Sequence, residues 1–293
     1  MPTLVNVCGT SHSGTTMVDL MLGNSDNAFS CGEACALFRP WRTHHFRISC
    51  SCPAGSSCPI WNFVKGCRES GFHGKLFAEL QVDFVIDSSK SLSWVIDNNS
   101  WASANGISFA NLLVWKDPLY LAYSHWKRGD GISTARNRFV TYYERFLKMG
   151  IPFVALSYNE LIRDPGNKLK DLCESIGMQY FEGKERFWEK EHHHLFGSRW
   201  TRRQVEMRRS TIRAFEEFPK DFLAEWGALG VGNDRNIQRI MAILQDSDVS
   251  KKGKTGARGQ SEMCRKVRPV WYYRHKLWRI YKRRFPDPWP YEQ

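Results

Sequence analysis

Residues 4–22 read LVNVC-GTSHSGTT-MVDLML. The first five are mostly apolar, include β-branched side chains and are followed by Gly9, a pattern typical of a short buried strand. Residues 15–22 predict a helix whose apolar face is formed by Met17, Leu20 and Met21. A strand, a glycine-bounded loop and a helix together indicate the opening of a nucleotide-binding α/β sheet.

The loop between this strand and helix has the features of an anion site. Its two glycines allow successive backbone N–H groups to point into one concavity, and the N-terminus of the following helix adds a partial positive charge. We therefore predict that a phosphate-like group binds to Gly9, Thr10, Ser11, His12, Ser13, Gly14, Thr15 and Thr16. An empty glycine turn at a strand-to-helix corner is the alternative.

The loop lacks one residue that ATP- and GTP-binding loops contain. A Walker loop continues with Lys after its second glycine, whereas Gly14 is followed by Thr15. A phosphotransferase that uses ATP is therefore disfavoured, although it stays the nearest enzyme alternative.

Further short strands are predicted at 82–86, 112–115 and 152–156, with helices beginning near Pro118 and spanning 167–176. Strands that alternate with helices favour an α/β fold with a central parallel sheet flanked by helices, in a P-loop-like architecture. Ligands of such sheets bind beyond the carboxyl ends of the strands. We therefore expect the segments that follow three of the strands to converge there, namely 9–16, 87–90 and 116–124.

The domain organisation follows from composition. Residues 1–245 are predicted to form the catalytic domain, with an irregular Cys-rich insertion at 38–75 and a mainly helical portion at 181–244. Residues 246–262 are expected to be a flexible linker, and 263–293 a basic aromatic tail.

The basic tail region accounts for the net charge. Residues 251–284 contain thirteen Lys or Arg and one acid, which equals the whole excess of +12. Such a tail is most often a solvated face or a disordered arm, and less often a docking segment for an anionic membrane or polymer. Packing on the enzyme itself is a further alternative, and nucleic acid is the less favoured partner. The chain shows neither a secretory leader nor an apolar span of ~18 residues. We therefore expect a cytoplasmic protein, with peripheral membrane contact as an open alternative.

Two groups of residues invite a metal interpretation. Cys50, Cys52, Cys58 and Cys67 lie close together, but their spacing misses the paired Cys-x-x-Cys pattern of zinc sites, so reduced thiols in a surface insertion are favoured. The run His192–His194 cannot present all its rings to one side, which disfavours a metal and favours substrate contact by one of them. The sequence therefore predicts no metal.

The loop and a second segment resemble the family of sulfotransferases that use 3′-phosphoadenosine 5′-phosphosulfate (PAPS). Ser13-Gly14-Thr15-Thr16 matches the family's 5′-phosphosulfate loop, in which Lys or Arg usually stands where this chain has His12. Lys116-Asp117-Pro118, followed by Ser124, is similar to the family's 3′-phosphate site, normally Arg-Asp-Pro and a Ser. The resemblance covers roughly residues 4–205.

Other motifs are similar to the bacterial branch related to tyrosylprotein and Golgi-type sulfotransferases. They are Cys31-Gly32-Glu33, Asp87-Ser88-Ser89-Lys90, Cys58-Pro59-Ile60-Trp61, and His194-x-x-Gly197-Ser198 with Arg202. The resemblance implies that Glu33 is the general base, that Lys90 and His12 contact the sulfuryl and bridging oxygens, and that Arg202 helps to bind the donor. An ion-paired Glu33 and a surface Lys90 are the alternatives, as are a solvated Lys116 and an Arg202 on a basic helix face.

The resemblance implies a specific reaction. The enzyme would move a sulfuryl group from PAPS to a hydroxyl acceptor, a carbohydrate being favoured, and release adenosine 3′,5′-bisphosphate. This chemistry requires a base, an in-line donor and positive groups near the leaving phosphate, and no metal.

Overall fold

The computed structural model describes residues 1–47, 50–64, 66–210 and 217–251. Five strands form one sheet: β1 Thr3–Cys8, β2 Ala28–Gly32, β3 Phe84–Asp87, β4 Ser108–Trp115 and β5 Val154–Ser157. The described residues also form the helices α1 Thr15–Leu22, α2 Cys35–Phe38, α3 Pro59–Phe63, α4 Phe72–Leu80, α5 Leu92–Ala104, α6 Pro118–Trp126, α7 Ile132–Leu147, α8 Tyr158–Arg163, α9 Pro165–Ile176, α10 Arg199–Glu206, α11 Lys220–Ala228 and α12 Arg235–Asp246.

The sheet is parallel throughout, in the order β2-β3-β1-β4-β5. The central strand β1 is buried along its whole length, as expected for a parallel strand covered on both faces. In register, Thr3 of β1 lies opposite Phe84 of β3 and Ser108 of β4. The parallel α/β fold predicted from the sequence is confirmed.

The strand order creates a crevice between β1 and β4. After β1 the chain runs to β2 at one edge of the sheet, whereas after β4 it runs to β5 at the other edge. The connections therefore diverge between two adjacent strands, and ligands of open α/β sheets bind at such a switch point. The loop that follows β1 and the segment that follows β4 meet at this crevice.

Helices cover both faces of the sheet. Val5 and Val7 pack with α1, α8 and α9, whereas Leu4 and Cys8 point to the opposite face. On that second face the core includes side chains of α4 and α5 near Leu4, and of α5, α7 and α12 near Cys8. None of the helices in the described ranges combines the length and apolar character needed to cross a bilayer.

The predicted insertion, 38–75, is irregular but contributes to the core. It contains α3, the start of α4 and short 3₁₀ turns. Trp61 and Phe72 are completely buried, and their rings stack at 6.3 Å between centroids. The insertion therefore forms part of the core beside β2 and β3.

Several boundaries differ from the sequence predictions. Strand β2 was not predicted, since its sequence AFSCG lacks both an apolar run and strict alternation. In 181–198 the single helical element is the 3₁₀ turn Phe187–Glu189, so the mainly helical portion begins at Arg199. The first residues of the predicted linker pack on β5, because Ala155 exchanges backbone hydrogen bonds with Ser247 and Val249. The remainder of that linker and the basic tail lie outside the described residues.

Candidate active site

The anion-binding loop, Gly9–Thr16, needs both of its glycines, Gly9 and Gly14. Gly14 has φ 99°, and a Cβ there would lie 2.0 Å from the ring of Tyr158. A Cβ on Gly9 would lie 2.5 Å from the carbonyl oxygen of Val114 in β4. Helix α1 begins at Thr15 without a side-chain cap, and its backbone hydrogen bonds to the Gly14 carbonyl start only at Met17, so the N–H groups of Thr15 and Thr16 at the helix N-terminus face the loop. This geometry suits an anion.

Two hydroxyl groups hold the loop in shape. Ser13 is buried and donates a hydrogen bond from its Oγ to the carbonyl of Thr10 at 2.8 Å. Thr16 accepts a hydrogen bond of 3.0 Å from the backbone N–H of Ser198. The late motif that contains Gly197 and Ser198 therefore lies against the loop, although it is 182 residues distant in sequence from Thr16.

His12 stands at the tip of the loop with φ 68°, a conformation that is uncommon for a non-glycine residue. Its ring packs edge-on against His125 at 4.8 Å between centroids. His12 is exposed, but the surrounding side chains desolvate its ring and lower its pKa to about 3, and the positive charges of Arg128 and Lys116 act in the same direction. His12 is therefore neutral at pH 7, when no anion is bound, and lies close to several cations.

Lys116 and Ser124, the predicted second anion anchor, lie together. The Lys116 ammonium donates to Ser124 Oγ at 3.4 Å and sits 4.3 Å from the ring centroid of Tyr158. Tyr158 is also the side chain that packs against Gly14. One aromatic ring therefore contacts both the loop and the second anchor, which places the two anchors side by side at the crevice between β1 and β4.

The segment between Lys116 and Ser124 is fixed by an N-terminal cap. Asp117 accepts a hydrogen bond from the Leu119 N–H at 2.9 Å, and Pro118 occupies the first turn of α6. The N–H of Asp117 donates to the side chain of Asn159 at 2.9 Å. These bonds fix the start of α6 directly after Lys116, whose ammonium reaches Ser124 within the helix.

Glu33 and Lys90 form an ion pair at the carboxyl ends of β2 and β3. Both side chains are mostly buried, with exposures of 13% for Glu33 and 19% for Lys90. Tyr142 donates to the carbonyl of Lys90 at 2.9 Å and accepts from the N–H of Gly9 at 3.0 Å. The ion pair is thus connected to the start of the anion-binding loop through one hydroxyl group.

A buried polar cluster lies behind the ion pair. Asp19 of α1 accepts hydrogen bonds from Ser88 Oγ at 2.6 Å and from the Gly32 N–H at 3.2 Å. Burial raises the pKa of Asp19 to about 7. His194 bonds to Ser30 at 2.7 Å, and burial holds its pKa well below the usual range. The cluster connects α1 to the ends of β2 and β3 and to the late motif.

Arg202 projects from α10, whose N-terminus is capped by Ser198. Its Nη1 donates to the carbonyl of Phe196 at 2.9 Å. Burial lowers its pKa, while the negative charge of Glu33 has the opposite effect. Arg202 therefore lies on the side of the site that contains Glu33.

Sequence reasoning missed several residues at the site. His125 is fully buried, and its Nδ1 lies 2.8 Å from Asp130, which also binds Arg138 at 3.1 Å. In the sequence, the only feature that pointed to His125 as a site residue was its position next to Ser124. Tyr142 and Tyr158 gave no signal, because their roles depend on contacts with distant loops.

No family model matches the sequence, and no curated protein matches it. Solved structures do share its architecture. A sulfotransferase domain from the curacin biosynthetic pathway is 13% identical, with a TM-score of 0.56 over 84% of this chain and 98% of that domain. A sulfotransferase domain from the Synechococcus PCC 7002 olefin synthase is 14% identical, with a TM-score of 0.50 over 78% of this chain and 94% of that domain. The chain therefore has the fold of sulfotransferase domains.

Proposed function

We propose that this protein is a sulfotransferase that uses PAPS as donor and transfers its sulfuryl group to a hydroxyl acceptor. The observation that carries the proposal is the adjacency of two anion anchors, the Gly9–Thr16 loop and the Lys116/Ser124 pair, which share contacts with Tyr158. The donor carries a phosphosulfate at one end and a 3′-phosphate on its ribose. Two separate anion anchors match this molecule.

The residues present fit both ends of the donor. The loop offers backbone N–H groups of the first turn of α1 to the phosphosulfate. Lys116 and Ser124 offer an ammonium and a hydroxyl to the 3′-phosphate. Lys in place of Arg keeps the charge but loses bidentate geometry. Arg128, exposed at the end of α6, adds positive potential near His12.

Glu33 is placed to act as general base in this proposal. It would accept the proton of the acceptor hydroxyl while that oxygen bonds to sulfur and the bond from sulfur to the 5′-phosphate oxygen breaks. The loop N–H groups, the ring of His12 and the ammonium of Lys90 would stabilise the charge that develops on the leaving adenosine 3′,5′-bisphosphate. The Lys90–Glu33 ion pair keeps this carboxylate and this cation together beside the loop. An ion-paired Glu33 was also the alternative to a general base, and the Glu33→Gln variant distinguishes the two.

A carbohydrate is the acceptor class that the surroundings of Glu33 favour. Trp41 is 38% exposed and packs edge-on against His45 at 4.2 Å. The ring of His45 also packs against Phe196 at 5.0 Å between centroids, and the preceding residue, Leu195, accepts a hydrogen bond from the N–H of Glu33, so this aromatic group lies on the same side of the site as Glu33. An exposed indole face on the same side of the site as a carboxylate suits an apolar sugar face with neighbouring hydroxyls.

The proposal has a direct test. Adenosine 3′,5′-bisphosphate should raise the melting temperature of the full chain much more than ATP with magnesium or adenosine 5′-monophosphate does. Incubation with ³⁵S-labelled PAPS and a panel of carbohydrates should then transfer label to an acceptor. Equal stabilisation by ATP with magnesium would favour the phosphotransferase alternative and contradict the proposal.

A further inference from the structure

Three cysteines of the insertion meet a histidine from a distant segment. The side-chain ligand atoms of Cys50, Cys52, Cys58 and His193 all lie within 4.8 Å of one another. Cys58 Sγ is 3.3 Å from His193 Nδ1, although 135 residues separate them in sequence. The three thiols are buried, and the imidazole is 28% exposed.

This set of atoms has the composition of a structural zinc site. Zinc is bound tetrahedrally by Cys₃His sets, and Zn–S bonds of about 2.3 Å place two sulfur ligands about 3.8 Å apart. The observed separations, all within 4.8 Å, approach that geometry. We propose that Cys50, Cys52, Cys58 and His193 bind one Zn²⁺ ion.

The surroundings of the four residues support zinc. The backbone N–H of Cys52 points at Cys50 Sγ at 3.4 Å, and such a donor stabilises a metal-bound thiolate. Trp61 donates from its indole N–H to the carbonyl of His193 at 2.6 Å, which fixes the backbone of the histidine. The other ring nitrogen, Nε2, lies 3.7 Å from the Glu191 carboxylate, a common outer partner of a zinc-bound imidazole.

The site is structural, because the protein supplies all four ligands and leaves no position for water or substrate. A disulfide would fit the same atoms less well, since it would join two of the three thiols and leave the third thiol and His193 unused. The other close group of metal-ligating residues in the described ranges, His12, His125 and Asp130, lies among cations. Arg128 and Lys116 act on His12, and that site suits an anion.

The ion would connect the insertion to the strand that ends at Glu33. Leu195, two residues after His193, forms β-bridges with Cys50 and with Gly32 at the end of β2. Its carbonyl accepts a hydrogen bond from the N–H of Glu33 at 2.9 Å. Zinc binding by Cys50 and His193 would therefore hold Leu195, and through it the backbone of Glu33, in place.

The spacing of the cysteines did not indicate this site. Only the fold brings His193 to Cys50-x-Cys52 and Cys58, and the fourth cysteine of the insertion, Cys67, stands apart from the group. Cys67 contacts the carbonyl of Arg68 instead, at 3.5 Å. It therefore provides a matched control within the same insertion.

The experiment measures metal in the full chain, purified without chelator from zinc-supplemented medium, by inductively coupled plasma mass spectrometry. We expect about one zinc per chain in the wild type and in Cys67→Ser. Cys58→Ser and His193→Ala should lose most of it, whereas His193→Cys should retain it as a Cys₄ site. Because His193 is partly exposed, its two variants keep the test informative even if Cys58→Ser does not fold.

Cobalt substitution provides a second readout, independent of catalysis. Protein loaded with Co²⁺ should show thiolate-to-cobalt charge-transfer absorption and tetrahedral visible bands, present in Cys67→Ser and absent in His193→Ala. Wild-type protein that carries no zinc, or whose Cys50, Cys52 and Cys58 thiols prove to be in a disulfide by mass spectrometry, would overturn the inference. A failed sulfuryl-transfer assay would leave it intact, since the proposed zinc site does not depend on that function.

Discussion

The ammonium of Lys90 is paired with the carboxylate of Glu33. Glu33 directly follows β2, and Lys90 lies three residues after the end of β3. Lys90 has φ 61°, a conformation that costs a non-glycine residue about 1–3 kcal/mol. Tyr142 offsets part of this cost through its hydrogen bond to the Lys90 carbonyl. The fold thus holds a base and a cation together at the edge where the two anion anchors lie.

Glu33→Gln tests the general base. The variant should reduce kcat by about 10²–10⁴-fold, since an amide of the same shape accepts no proton from the acceptor hydroxyl. Its affinity for adenosine 3′,5′-bisphosphate should stay near that of the wild type in calorimetry. Glu160→Gln, which changes an exposed partner of Lys168, is the matched control and should leave kcat unchanged. Full turnover in Glu33→Gln would remove Glu33 from the mechanism.

Lys116→Ala tests the second anchor. Loss of a charged hydrogen bond to a phosphate costs about 1.5–3 kcal/mol, so affinity for adenosine 3′,5′-bisphosphate should fall by roughly 10–100-fold. Affinity for adenosine 5′-monophosphate, which has no 3′-phosphate, should change little. Lys127→Ala is a suitable control, because Lys127 is exposed and its ammonium also lies over an aromatic ring, Tyr123, at 4.5 Å. An unchanged preference for the 3′-phosphate in Lys116→Ala would reject this anchor.

Gly14→Ala tests the shape of the loop. The new methyl group would overlap the Tyr158 ring at a backbone φ of 99°, so both the loop and the neighbouring anchor should be displaced. We expect loss of measurable nucleotide binding together with a lower melting temperature. Gly150→Ala separates the two effects, since Gly150 also has positive φ, 61°, but open space around it. This control should lose only about 1–2 kcal/mol of stability and retain binding.

Asp19 predicts a pH dependence of stability. Its pKa is about 7 in the folded protein, raised by burial from an ordinary value of 3.8, so the folded state holds a proton that the unfolded state releases. The stabilisation from this group is fully present below pH about 3.8 and is lost as the pH rises toward about 7. Urea denaturation should therefore give a larger free energy of unfolding near pH 5 than near pH 8, and Asp19→Asn should make this difference smaller. An identical pH dependence in both proteins would contradict the assignment.

Local sequence patterns were sufficient for the first strand, loop and helix. Apolar residues 4–8 and the periodic residues 15–22 matched β1 and α1 closely, because burial on both faces and helical periodicity are visible within a short window. Lys116 directly precedes Asp117, the N-cap of α6, and Ser124 lies within that helix, so their spacing was also readable from a short segment of sequence. Strand β2 had no such pattern, since it is stabilised by pairing with β3 and bridging to Leu195.

The sequence by itself therefore determined which chemical groups are available along the chain: a glycine loop for an anion, a cation with a hydroxyl, a carboxylate and a group of thiols. Tertiary structure alone decided which of these meet. It placed Tyr158 between Gly14 and Lys116, and His193 beside Cys58. The physical reason is that contacts between residues far apart in sequence depend on strand order and packing. The free energy of that packing is shared by the whole core and leaves no periodic signal in any one segment.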